Sequence, residues 1–73
     1  MENERIAEVK FLREGFREPV WGLFTEGHTV IGQYTAKTIE KALAFFIDSK
    51  GGELKELGFT HIKHEKSNSA VPL

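Results

Sequence analysis

There is no cysteine in this 73-residue sequence. That excludes disulfides and thiolate metal sites and fits a reducing compartment. An excess of either charge is missing too: 10 Lys and Arg stand against 11 Asp and Glu, for a net charge of −1. Proteins that grip nucleic acid through its phosphates usually carry a marked basic excess, so nucleic acid is not expected as a direct ligand. Long apolar runs are also absent. Nothing approaches the ~20 residues of a membrane span, and the opening MENERIAEVK lacks the uninterrupted apolar core of a signal peptide. The expectation is a soluble, cytoplasmic protein with no membrane partner. Internal repeats are missing, as are G-x-S-x-G, H-E-x-x-H and G-x-x-x-x-G-K-[ST]. A non-enzyme is expected, with no catalytic residue, no cofactor and no metal.

What is present is enough for one small α+β domain. A chain this short buries only roughly 60% of the surface it exposes when unfolded. Residues 1–4 read as a flexible arm, 5–66 as the domain and 67–73 as a disordered tail. From Arg5 to Arg13, Ala7, Val9 and Phe11 alternate with Glu8 and Lys10, which predicts a half-buried strand. The following R-E-G-F-R-E-P, Arg13 to Pro19, is polar and predicts a loop anchored by Phe16, its one large apolar residue. Thr35 to Lys50 carries Ile39, Ala42, Leu43, Phe46 and Ile47 at helical spacing. Thr35 or Thr38 supplies the cap, and Gly51-Gly52 is expected to end the helix. Glu53 to Gly58 suggests a short helical turn, and Phe59 to Glu65 a last strand. The order is β-β-β-α-β: an antiparallel sheet of three to four strands with one packed helix, whose final strand follows a helical crossover and can lie parallel to a neighbour.

The stretch PVWGLFTEGHTVIGQY, Pro19 to Tyr34, predicts a hairpin turning at Glu26-Gly27 between Thr25 and His28. This register sets Leu23 opposite Val30 and Trp21 opposite Gly32, a ring lying over a glycine. One face then carries Trp21, Leu23, Val30 and Tyr34, and the other Val20, Phe24 and Ile31. Both are apolar, yet one helix covers one face. The Trp21 set is expected under the helix. The second set is left as a patch of the kind that marks an interaction site, unless Phe16 folds over it or a second copy covers it.

Other chemistry is weak. His61 and His64 are three apart on a strand, which points them to opposite faces rather than into one metal shell. Glu14, Glu18, Glu26, Glu40 and Asp48 have no apolar context that would raise a carboxyl pKa. Trp21, Phe24 and Tyr34 lack the interleaved cations of a base-stacking platform. Arg13, Arg17, Lys63 and Lys66, with His61 and His64 nearby, suggest either a cationic rim facing an acidic partner or ordinary surface charge.

The order of Trp21, a short polar turn, Tyr34, T-I-E-K-A-L (Thr38 to Leu43), Gly58-Phe59 and a polar-basic last strand resembles the small inhibitors of host RNA polymerase made by lytic bacteriophages. The resemblance covers roughly residues 20–65. It implies a non-enzymatic regulator that binds bacterial RNA polymerase in the host cytoplasm and blocks transcription initiation by occlusion or displacement. Basic residues on the last strand contact the polymerase in that group. Lys63 is the closest position here, while Glu65 stands where a second basic residue would be expected. An extra N-terminal strand and a longer helix-to-strand connection are further departures. Small antitoxins with a degraded RNase H-like fold carry a similar hairpin and helix, which leaves an antitoxin or other counter-defence protein as the alternative, with a nucleic-acid-binding module using the aromatic hairpin ranked behind it. Because interface hot spots favour aromatic residues and Arg, the partner-binding residues are expected to be Arg13, Phe16, Arg17, Phe24, His61 and Lys63, on a monomer or weak dimer.

Overall fold

The computed structural model describes residues 4–25 and 30–73. The expected Glu26-Gly27 turn, His28 and most of the N-terminal arm lie outside these. Among the described residues, five strands and one helix follow in order: β1 (Ile6–Glu14), β2 (Pro19–Phe24), β3 (Val30–Thr35), α1 (Ile39–Glu56), β4 (His61–His64) and β5 (Val71–Pro72). They form one mixed sheet in the order β3-β2-β1-β4-β5, with α1 packed on one face. The layout is α+β, with one strand more than expected.

β1 is the centre of the sheet. It pairs antiparallel with β2 on one side and parallel with β4 on the other. The parallel pairing follows from the long connection through α1, since adjacent parallel strands need a crossover. Alternation along β1 sends Ala7 and Val9 under the helix, where both are fully buried.

α1 begins where Thr38, extended at φ −130°, accepts the Lys41 N–H on its hydroxyl at 3.3 Å. That satisfies one of the orphan donors of the first turn. The helix does not stop at Gly51-Gly52. It runs through both glycines to Glu56, because the apolar stripe of Ile39, Ala42 and Phe46 continues to Leu54 and holds the extra turns against the sheet. The actual stop is Gly58, at φ +94°. Its N–H donates to the Lys55 carbonyl at 3.0 Å, and the Phe59 N–H donates to the Leu54 carbonyl at 2.9 Å. These two bonds make a Schellman cap, with Leu54 and Phe59 as its apolar pair; both side chains belong to the core. The Glu53–Gly58 segment is therefore the end of α1 and not a separate turn.

The C-terminal tail folds back on the sheet. Ser67 N–H donates to the His64 carbonyl and Ser69 N–H to the Ser67 hydroxyl, both at 3.0 Å, turning the chain back. β5 then pairs antiparallel with β4, the Leu73 N–H donates to the Thr60 carbonyl at 3.0 Å, and Leu73 packs against the core.

The hairpin is offset from the expected register. Trp21 faces Tyr34 and Leu23 faces Gly32, then the pairing slips so that Phe24 faces Val30. This bulge adds one residue to β3 and exchanges the faces of two side chains. Val30 joins Phe24 on the face away from the helix, while Ile31 packs against the core. As expected, Trp21, Leu23 and Tyr34 lie on the helix side. Trp21 Nε1 donates to the Ala36 carbonyl at 2.8 Å, tying the start of the helix connection to β2. Gly32 lies under Phe46 and Lys50, not under Trp21.

Candidate functional site

The face that α1 leaves uncovered is built mainly from β1 and β2. On β2 it carries Val20, Gly22 and Phe24, since alternate residues share a face. β1 supplies Ile6, Glu8 and Lys10 opposite or beside them. A second bulge, between Phe11 and Arg13, changes the pattern at this end of β1. Bulges place consecutive residues on one side, and here Leu12 and Arg13 both reach the uncovered face. Leu12 lies directly over Gly22, so close that a Cβ there would come within 2.8 Å of it. Arg13 Nη2 donates to Gln33 Oε1 on β3 at 3.2 Å.

Leu12, packed against Gly22 and Phe24, fills the middle of this face. Val20 is buried beneath the Gly15–Glu18 turn, where a Gly15 Cβ would lie 3.1 Å from Val20 Cγ2. Phe24 is half-buried under Lys10, whose Nζ stands 5.4 Å from the ring centroid. What stays open is a strip formed by parts of Leu12, Phe24, Val30 and Ile6, with Val30 39% and Ile6 36% exposed. The expected patch of Val20, Phe24 and Ile31 is corrected accordingly: only Phe24 belongs to it.

Charge borders the strip. Glu8 lies between two lysines, with Lys10 Nζ at 3.6 Å and Lys63 Nζ at 3.7 Å from its carboxylate oxygens. Such half-exposed pairs contribute little to stability, of the order of 0–1 kcal/mol, but they fix where the cationic groups stand. Lys63 is opposite Glu8, and Glu8 is opposite Phe24, so the three form one row across β4, β1 and β2. His61 faces Ile6 in the next row. Its Nδ1 is 2.7 Å from the Thr60 hydroxyl and its Nε2 is 3.9 Å from Glu4 Oε2. His64 is opposite Val9, on the helix side of the sheet, and its Nδ1 accepts the Lys66 N–H at 3.2 Å. The two histidines thus diverge.

Of the sequence-derived residues, Arg13, Phe24, His61 and Lys63 share this face. Phe16 and Arg17 are at its end, in the turn between β1 and β2. Phe16 is not the anchor of that turn: it is 96% exposed. The turn is closed instead by the Gly15 N–H donating to the Glu18 carbonyl at 3.0 Å, which leaves Phe16 and Arg17 at the tip. Arg17 Cζ is 5.9 Å from the Phe16 ring centroid. The sequence reading missed Leu12, whose adjacency to Phe11 interrupts the alternation and is the signal of the bulge.

A shallow cleft of about 270 Å³ opens at the other end of the sheet, lined by Arg5, Thr25, Leu57 and Phe59. Its chemistry is structural. Arg5 Nη1 donates to the Leu57 carbonyl at the end of α1 at 2.8 Å, and the guanidinium lies over the Phe59 ring at 4.4 Å. Among the described residues no three His, Asp or Glu side chains converge to hold a metal ion, and no helix is long and apolar enough to cross a membrane. In comparison with known proteins, no family model matches the chain, and neither the curated proteins nor the solved structures yield a match.

Proposed function

We propose that this chain is a non-enzymatic regulator that binds another protein through the helix-free face of its sheet and the Phe16–Arg17 tip, with bacterial RNA polymerase as the partner. One observation carries the reading. A fully presented aromatic ring, with Arg17 beside it, stands at the end of an apolar strip bordered by Arg13, Lys10 and Lys63. An exposed Phe brings no stability to its own fold, and aromatic and Arg side chains are the groups that anchor protein interfaces. The cationic border would steer an acidic surface toward the strip. The polymerase is named from the resemblance of residues 20–65 to phage-encoded inhibitors, and the mode of action that follows is occlusion or displacement at initiation in a bacterial cytoplasm.

The test uses purified bacterial RNA polymerase holoenzyme. The wild-type chain should bind it and suppress promoter-dependent transcription while leaving already elongating complexes active. A Phe16→Ala/Arg17→Ala variant should lose both effects and keep its fold. If the wild-type chain neither binds the holoenzyme nor alters initiation, the polymerase reading is wrong.

A second reading has its own observation. β1, the strand that the polymerase-inhibitor resemblance does not account for, is the centre of the sheet. The hairpin-and-helix resemblance to small antitoxins then covers the part of the chain packed around it, and the partner would be a small toxin or effector. Nucleic-acid binding fits the face less well, because Glu8 stands between its two lysines. Binding to DNA or RNA that weakens steeply as salt is raised would revive it.

A further inference from the structure

The two edges of the sheet are unlike. The β5 edge has two residues, one of them Pro72, and short strands and proline are devices that block strand addition. The β3 edge has six residues, Val-Ile-Gly-Gln-Tyr-Thr, with no charge and no proline. Among the described residues its protections are the bulge near its start and Lys50, whose side chain reaches over Gly32 from α1. Among the described residues, no strand pairs with its outer side.

The groups that point outward there follow from the ladder. Ala36 N–H donates to the Pro19 carbonyl, so Thr35, opposite Val20, belongs to a pair that exchanges no bonds. Alternation in an antiparallel ladder then directs the Tyr34 and Gly32 backbone groups toward β2. The N–H and C=O of Gln33 and Thr35 are turned away from it.

We propose that β3 is a self-pairing edge: two copies of the chain join their β3 strands antiparallel about a two-fold axis at Gln33. Residues directly opposite in an antiparallel pair must share a face, and both members of a bonded pair must present outward groups. A centre on Gln33 meets both conditions. Gln33 would exchange two backbone bonds with Gln33 of the second copy, and Gly32 would lie opposite Tyr34 of that copy, a residue without a side chain facing a ring. β3 itself carries no charged residue, so no like charges meet within the paired strands, and Lys50, which reaches over Gly32 from α1, is paired with Glu53 at 3.6 Å. That favours a second copy over an acidic or basic foreign strand, which would find no matching charge on β3. The axis is perpendicular to the sheet, so both helices lie on the same side of the joined sheet. The Tyr34–Phe45 stacks, with rings 3.7 Å apart and Phe45 38% exposed, would flank the seam. This pairing is independent of the proposed partner protein and leaves the opposite face of both sheets open.

Sedimentation of the full chain at increasing concentration tests it, alongside Gln33→Pro, which removes an outward N–H, and Thr35→Lys, which puts a charge at the seam. The wild-type mass should rise from 8.3 kDa toward twice that value. Both variants should stay monomeric with unchanged circular dichroism, and amide exchange at Gln33 and Thr35 should slow with concentration only in the wild type. A wild-type chain that is monomeric throughout would overturn the proposal. So would a dimer that survives both substitutions, or protection of these amides that requires a foreign extended peptide.

Discussion

Leu12 occupies the space that a side chain on Gly22 would need: a Cβ at Gly22 would come within 2.8 Å of both Leu12 Cγ and Leu12 Cδ1, and 3.1 Å from Phe24 Cε1. The uncovered sheet face is thus packed from within by its own bulged residue. Gly22→Ala should overpack this site and destabilise the fold by about 1–2 kcal/mol, the lower part of the usual overpacking range because Leu12 is only half-buried. In thermal unfolding, Leu12→Ala in the Gly22→Ala background should recover part of the loss, giving a non-additive double-mutant cycle. Additive effects would mean that the two residues do not share the space.

Gly51 and Gly52 are in the interior of α1, and a Cβ at either would meet nothing within 4 Å. Packing therefore does not require glycine at either position. Gly51→Ala and Gly52→Ala should each stabilise the protein by about 1 kcal/mol through helix propensity, seen as a rise in Tm of roughly 4–8 °C for a domain of this size. Gly58→Ala should do the opposite. There the left-handed conformation disfavours any side chain, and the new Cβ would crowd Arg5 Nη1 at 2.5 Å. A reversal of these signs would place the functional end of the helix at Gly51-Gly52 after all.

These contrasts explain which parts of the fold were legible in the sequence. β1 and the first three turns of α1 follow from periodicity, because each has one face in the core, and the β2–β3 pair follows from two apolar runs around a polar, glycine-containing stretch. Register did not follow. Both slips occur where two apolar residues adjoin, Phe11-Leu12 and Val30-Ile31, and alternation cannot say which of the two turns inward. The helix end was misplaced because a glycine pair is a strong local stop signal, whereas Leu54 and Phe59, which close the real cap, are apart in sequence and meet only through the core. β5 was invisible for a similar reason: two residues form a strand only because β4 offers them an edge. Of the candidate site, Arg13, Phe24, His61 and Lys63 were legible as residues, but their common face depends on the β1 bulge and the parallel pairing of β4.

Arg5 joins three elements. Its backbone accepts the Thr60 and His61 N–H groups at 2.9 and 3.2 Å, while its side chain caps the Leu57 carbonyl and covers Phe59. Arg5→Ala should remove a charge-assisted hydrogen bond and a cation–π contact, destabilising by about 1–2 kcal/mol in a partly exposed setting. Arg5→Lys should recover only part of this, since an ammonium lacks the planar fork that spans a carbonyl and a ring. Hydrogen exchange at Gly58 and Phe59 is the local readout: both amides should exchange faster in Arg5→Ala, and equal protection would refute the capping role.

Phe16 and the cations on the same side of the molecule should separate in a binding experiment. With 96% of its surface exposed, Phe16 contributes little to the fold, and Phe16→Ala should change stability by no more than about 0.5 kcal/mol. Arg13→Ala and Lys63→Ala change charges at the border of the strip, where the effect would fall on encounter with the proposed partner. Measured against the purified holoenzyme, Phe16→Ala should weaken affinity at least ~10-fold, chiefly by faster dissociation. The two charge substitutions should instead slow association, with an effect that fades as ionic strength rises. If Phe16→Ala leaves affinity intact while the charge variants abolish it at every salt concentration, the aromatic tip is not the anchor and contact is made through the Lys10–Glu8–Lys63 row alone.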